Sequence, residues 1–155
     1  MAGGLRLSYP KKHVMEVRIL TRLRIDHVPG TMEWQTLTWF SFYSAILGRR
    51  IYVPPRFLTD FHSVPRGLWN ILPPHENPEA GVIHDWLYKT NGVTRKEADQ
   101  VYVEVLELLN KWHPGKAPAW KRKAMYWGVR MGGWKPWNAY RKKDEKRCQI
   151  ELKKP

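Results

Sequence analysis

The sequence predicts an α+β fold, in which a small N-terminal antiparallel β-sheet is followed by three helices with a central antiparallel helical hairpin. Residues 13–53 either alternate apolar and polar side chains or are rich in β-branched and aromatic residues, a pattern typical of strands. Residues 77–112 instead carry apolar side chains at helical spacing on both sides of a short turn. At 155 residues, the chain is long enough for one domain with its own core.

The N-terminal part contains three predicted strands, preceded by a flexible arm at residues 1–12. The strands are residues 13–25, 33–43 and 50–53, and the pair Pro54–Pro55 ends the last of them. The loop that follows, residues 57–69, is dense in polar side chains, including Asp60 and His62. We expect a single α+β domain over residues 13–133 and a basic aromatic tail over residues 134–155.

The central hairpin is predicted from its helix ends. Asn77 is a suitable N-cap with Pro78 at the first helical position, and the turn at Gly92 tolerates a left-handed backbone. Thr94 then begins the second helix, and Glu97 completes a capping box. With a turn this short, facing residues have numbers that sum to about 183, the register expected of a tight helical hairpin.

This register brings several chemically useful side chains together. His84 faces Asp99, and Tyr88 lies one turn further along the same face as His84. A His held by a carboxylate keeps one tautomer and can act as a general base through its other nitrogen. Asp85, with Asp60 as a possible second ligand, offers carboxylates to a hard cation such as calcium. The pattern alone favours the plainer interpretation, a buried His–Asp pair that stabilises the hairpin.

The third helix is predicted at residues 118–131. Its apolar stripe is expected to pack in the core and consists of Trp120, Ala124, Trp127, Gly128 and Met131. The basic run at residues 121–123 is expected to lie on a solvated face.

Charge is concentrated at the C-terminal end of the chain. The net charge is +13, and residues 114–155 contribute +10 of it, with 13 Lys/Arg against 3 Asp/Glu. Such a segment suits an acidic protein, an anionic membrane lipid or nucleic acid, and the nine tryptophans favour an interface. Nucleic acid is the least favoured partner because no recognisable binding module is present. The single cysteine, Cys148, excludes a disulfide within the chain, and we see neither a secretory signal nor a membrane span.

Three sequence blocks resemble a family of uncharacterised proteins encoded by tailed bacteriophages and prophages. The blocks are VPPRFLTDFHSVPR at residues 53–66, HDWLY at 84–88 and EAD at 97–99, and the resemblance covers roughly residues 37–133. It implies a phage context. We therefore expect a virion or assembly protein of the tail or baseplate, assembled in the host cytoplasm, that docks on other phage structural proteins through its C-terminal region.

The hairpin is also similar to the catalytic hairpin of phospholipase A-two enzymes of the parvoviral type. The resemblance implies that His84 is the general base, that Asp85 binds calcium, and that Tyr88 and Asp99 hold the imidazole. Those enzymes draw most calcium ligands from a glycine-rich upstream loop, whereas residues 59–69 contain one glycine, Gly67. The alternative expectation is therefore a calcium-dependent phospholipase-like ester hydrolase at the cell envelope.

Overall fold

The computed structural model describes residues 20–61, Pro73 and residues 76–152. The predicted arm at residues 1–12, most of the first predicted strand and His62 lie outside the described residues. The strands are β1 Ile25–His27, β2 Trp34–Thr36, β3 Phe40–Ser44, β4 Arg49–Val53 and β5 Leu58–Thr59. The helices are α1 Pro78–Lys89, α2 Arg95–Trp112, α3 Ala119–Gly132 and α4 Trp134–Leu152.

The predicted α+β fold is confirmed, and the part of the chain that the structure describes has two small antiparallel sheets before the helices. One sheet has the order β1-β2-β5, and the other is the β3–β4 hairpin, in which Phe40 faces Val53. The strand predicted at residues 33–43 is divided between the two sheets. Thr36 ends its first part, because its hydroxyl donates to the Pro54 carbonyl at 2.7 Å and accepts from the Phe57 amide at 2.9 Å. These side-chain bonds hold β2 in the first sheet before the chain continues to the second.

The core lies between the β3–β4 hairpin and the α1–α2 hairpin. Its fully buried apolar side chains include Phe40, Phe42, Val53, Ile83, Val101, Val105 and Leu106. Burying each such side chain contributes roughly 1.5–3 kcal/mol relative to exposure. Glu104 adds a polar link, since its carboxylate accepts from the Ser44 hydroxyl and the Ala45 amide, both at 2.6 Å. The end of β3 is thereby attached to the middle of α2.

Helix α3 forms where the sequence predicts, but it buries only part of the predicted stripe. Gly128 is buried as expected, whereas Trp120, Trp127 and Met131 are exposed, and Met125 and Val129 are buried instead. Lys121, expected on a solvated face, is also buried. Its ammonium forms an ion pair with Glu76, which supplies the partner that a buried cation requires.

The described residues form four helices, one more than the three predicted. The fourth, α4, lies within residues 134–155, for which the sequence predicts a basic aromatic tail because aromatic and basic residues alternate there without a clear apolar stripe. The helix packs through Trp137, whose ring lies 5.1 Å from that of Tyr88. Arg141 stacks 4.7 Å from the Trp137 ring and donates to the carbonyls of Tyr88 at 2.8 Å and Thr90 at 3.3 Å. It thus satisfies carbonyls at the end of α1 that have no partner within their own helix.

Hydropathy gives a separate result. Among the helices of the described residues, none combines the length and the apolar character needed to cross a membrane.

Candidate functional site

The two helices that carry the candidate site begin in different ways. Pro78 occupies the first turn of α1 as predicted, but the Asn77 side chain does not cap the helix. Asn77 is buried, and neither polar atom of its side chain has a hydrogen-bond partner among the described residues. In α2 the predicted capping box is confirmed. The Glu97 amide donates to the Thr94 hydroxyl at 3.2 Å, and the Thr94 amide donates to the Glu97 carboxylate at 2.7 Å.

The capping box changes the pKa of the Glu97 carboxyl. The hydrogen bond from the Thr94 backbone amide holds the pKa of the Glu97 carboxyl below its usual value. An ionised carboxylate in the first turn also interacts favourably with the helix dipole. The start of α2 at Arg95, four residues before Asp99, is therefore fixed, which sets the register of the hairpin.

His84 and Asp99 form the centre of the site, and both are fully buried. The Nε2 atom of His84 lies 2.8 Å from Oδ1 of Asp99, as the hairpin register predicts. The Tyr88 hydroxyl donates to the same oxygen at 2.6 Å. The structure therefore brings together the three residues that the phospholipase resemblance assigns to catalysis.

Arg130 is a fourth member of this group that the sequence analysis missed. Its Nη1 atom donates to Oδ2 of Asp99 at 2.7 Å. Burial alone would raise the pKa of Asp99, but the hydrogen bonds from His84, Tyr88 and Arg130 outweigh it and hold that pKa below its usual value. The Asp99 carboxylate is therefore ionised at neutral pH, with a guanidinium as its counter-charge. We refer to His84, Tyr88, Asp99 and Arg130 as the Asp99 cluster.

Aromatic rings enclose the imidazole of His84. The ring of Tyr88 lies 4.1 Å away between centroids, and that of Tyr102 lies 5.2 Å away. Burial raises the pKa of both tyrosines well above the ordinary value, and the Asp99 carboxylate raises that of Tyr88 further. Both phenols therefore remain protonated, so the Tyr88 hydroxyl is a donor to Asp99 at any ordinary pH.

Asp85 and Asp60, the candidate metal ligands, occupy a neighbouring position. They line a cavity of about 80 Å³ together with Tyr88, Gly133 and Tyr140. Asp85 is buried, and its Oδ2 accepts a hydrogen bond from the Thr59 hydroxyl of β5. The two carboxylates thus share one small cavity, beside the Asp99 cluster.

The assignment of Asp85 and Asp60 as calcium ligands stays a prediction. Calcium takes about six to eight oxygen ligands. Within residues 20–61, 73 and 76–152, no group of three or more His, Cys, Asp or Glu side chains is placed to hold a metal ion.

The signals that could have identified Arg130 are indirect. A carboxylate buried on the apolar face of α2 requires a counter-charge, and the third predicted helix is rich in cations. Which cation reaches Asp99 depends on how α3 packs, because Lys121 and Arg130 lie on different turns of that helix. Sequence periodicity carries no information about this tertiary choice.

Comparison with known proteins places the chain in a family. A family model described as "Protein of unknown function (DUF1353)" matches residues 34–129, which are 96 of the 155 residues. The matched range contains His84, Tyr88 and Asp99 and ends one residue before Arg130. No curated protein and no solved structure matches the chain. Because the matched range exceeds half of its length, the protein belongs to the DUF1353 family of proteins of unknown function.

Proposed function

We propose that this protein is a bacteriophage virion or assembly component, in the tail or baseplate, that docks on other particle subunits through an aromatic face. The observation that carries the proposal is the exposure of four large apolar side chains on neighbouring turns of α3 and α4. They are Trp120, Trp127, Met131 and Trp134, with 62%, 55%, 64% and 51% of their surface accessible. These four residues are called the aromatic face below.

The members of the aromatic face share one side of the molecule. Trp120, Trp127 and Met131 are seven and four residues apart, which places them within about 40° of each other around α3. Gly133 has a right-handed helical backbone, with φ −75° and ψ −12°, so the chain continues in a helical conformation from Met131 to Trp134. Large apolar side chains grouped in this way on a protein surface usually mark an interaction site.

The chemistry of the aromatic face favours a protein partner. Trp and Met are enriched at protein interfaces. Exposed cations lie close to these residues in the sequence, namely Lys123, Lys135 and further basic residues of α4. An acidic partner surface with apolar pockets would match both features. The resemblance of residues 53–66 and 84–99 to tailed-phage proteins supports a particle as the setting, with the virion as the location.

Particle composition tests this proposal directly. A phage that carries the gene is purified, and its proteins are quantified by mass spectrometry. A deletion phage is then complemented with the wild type or with the double variant Trp127→Ala/Met131→Ala. We expect the protein in wild-type particles, or a requirement for it during their assembly, and a loss of incorporation or titre with the double variant.

The matched control is Trp39→Ala, because Trp39 is equally exposed, at 63%, but lies outside the aromatic face. The control should restore the wild-type yield. The proposal is contradicted if particles lack the protein and the deletion leaves the yield of infectious particles unchanged. It is also contradicted if the aromatic-face variant and the control behave alike. Sedimentation with anionic lipid vesicles, or with DNA at low salt, tests the two remaining anionic partners.

The Asp99 cluster favours a second function, ester hydrolysis. Asp99 contacts Nε2 of His84, so the proposed general base is Nδ1, the other ring nitrogen, which takes a proton from water. The water oxygen then attacks the ester carbonyl carbon and forms a tetrahedral intermediate. As the intermediate collapses, the C–O bond to the alcohol breaks, and the alcohol oxygen takes the proton from Nδ1. Water and ester are converted to acid and alcohol, and His84 returns to its starting state.

Turnover on phospholipid vesicles and on soluble esters tests this second function, with calcium and with chelator. We expect a wild-type rate above the buffer rate and its loss in His84→Gln. The matched control is His27→Gln, since His27 is exposed and lies on β1. Circular dichroism verifies that each variant is folded. A wild-type rate equal to that of buffer on every ester would exclude the function.

A further inference from the structure

We propose that Arg130 is a positioning residue that holds Asp99 so that His84 keeps its proton on Nε2. The inference rests on the second function proposed above, because it concerns the nitrogen that would act on water. The tautomer of His84 is measurable without a substrate.

The two oxygens of Asp99 are divided between different partners. Oδ1 accepts from His84 at 2.8 Å and from Tyr88 at 2.6 Å, and Oδ2 accepts from Arg130 at 2.7 Å. The carboxylate therefore cannot rotate without losing contacts on both sides. Because it is fully buried, water does not replace a lost contact.

Arg130 is itself held from the opposite side. Nη1 of Arg95, at the start of α2, donates to the Arg130 carbonyl at 2.8 Å. The α3 turn that carries Arg130 is thereby fixed to the helix that carries Asp99. Gly133 follows on the next turn and lies so close to the Tyr88 hydroxyl that a side chain there would collide with it. The two other donors to Asp99, the Arg130 guanidinium and the Tyr88 hydroxyl, are therefore both fixed in position.

The charge of arginine determines which atom carries the proton. A guanidinium remains charged at any ordinary pH, so its partner carboxylate stays ionised and can only accept hydrogen bonds. An accepting Oδ1 requires a hydrogen on His84 Nε2, and Nδ1 is then the basic nitrogen of the neutral ring. Without the guanidinium, a buried Asp99 can keep its own proton. It could then donate to Nε2, and the opposite tautomer of His84 would become available.

Nitrogen-15 NMR of the His84 imidazole in the full-length protein tests the proposal. We expect the neutral imidazole of the wild type to be a single Nε2–H tautomer. Arg130→Met should produce a mixture or the Nδ1–H tautomer, and Arg130→Lys should restore the wild-type pattern in part because it keeps the charge. The matched control is Arg122→Met. Arg122 lies on the same helix and contacts the Ala117 carbonyl and Glu107 rather than Asp99.

A pure Nε2–H tautomer in Arg130→Met would overturn the proposal. If Arg130→Met does not fold, Arg130→Gln takes its place, because glutamine keeps a hydrogen-bond donor without the charge. A wild-type tautomer pattern in Arg130→Gln would also overturn the proposal. Where the wild type hydrolyses an ester, kcat should fall in Arg130→Met while KM stays unchanged, since a positioning residue acts through Asp99 rather than on the substrate. A wild type without turnover removes the hydrolase proposal, and the tautomer measurement still decides the role of Arg130.

Discussion

The guanidinium of Arg130 and the carboxylate of Asp99 meet at 2.7 Å although 31 residues separate them in the chain. This contact joins α3 to the α1–α2 hairpin at a fully buried carboxylate. His84 and Tyr88 bond the same carboxylate from α1, so one side chain links three helices. Whether or not the protein is an enzyme, the stability of the helical part should depend strongly on Asp99.

Asp99→Asn should lower the free energy of unfolding by about 3–5 kcal/mol, because it leaves the Arg130 cation without its buried counter-charge. Denaturant unfolding followed by circular dichroism measures the change. The control is Glu145→Gln, which removes an exposed carboxylate from α4 and should stay within about 0.5 kcal/mol of the wild type. A loss for Asp99→Asn no larger than that of the control would contradict the prediction.

The contribution of Asp99 should also depend on pH. Its pKa in the folded protein lies below the usual value, so its stabilising effect is present above the unfolded carboxyl pKa of about 3.9 and is lost as the pH falls through the folded value. The difference in unfolding free energy between the wild type and Asp99→Asn should therefore be largest near neutral pH and shrink in acid. Unfolding series between pH 7 and pH 2 measure it. A difference independent of pH would show that Asp99 does not act through its charge.

Gly133→Ala should destabilise the protein by about 1–3 kcal/mol, as expected for overpacking. An added Cβ meets the Tyr88 hydroxyl and the Val129 carbonyl oxygen. Tyr88→Phe removes the hydroxyl, so the double variant should recover part of the loss. A double-mutant cycle of unfolding free energies measures this coupling. Strict additivity of the two substitutions would mean that Gly133 and Tyr88 do not interfere.

Trp127→Ala should change the free energy of unfolding by less than about 0.5 kcal/mol, because more than half of its surface is exposed. Met125→Ala, two residues earlier and fully buried, should cost about 2–5 kcal/mol. Thermal and denaturant unfolding of the two variants provides the comparison. Equal losses would show that Trp127 belongs to the core rather than to a docking surface.

The hairpin could be predicted from the sequence because its determinants are local. The capping box at Thr94, the short turn and the apolar spacing lie within one stretch of chain, and together they set His84 opposite Asp99. The packing of α3 could not be predicted in this way. The apolar stripe indicates a face on which Trp127 and Met131 are exposed, and the side that packs inward carries Lys121, whose ion pair with Glu76 is a tertiary contact.

The same limit applies to the end of the chain. In residues 134–155 no single stripe of apolar residues stands out, because only a few residues of α4 face α1. Trp137 contacts Tyr88, and Arg141 donates to carbonyls at the end of α1. These contacts are long-range, so the spacing of apolar residues in the local sequence does not predict them. Arg130 was missed for the same reason.

The position of Arg141 has a practical consequence for protein engineering. A chain shortened after Gly133 would lose the group that closes the end of α1, and Trp137 with it. Removal of α4 should therefore destabilise the α1–α2 hairpin, although the truncation site lies far from that hairpin in the sequence. Chimeras between family members should exchange α4 together with residues 88–91, so that the guanidinium and the carbonyls it serves come from one parent.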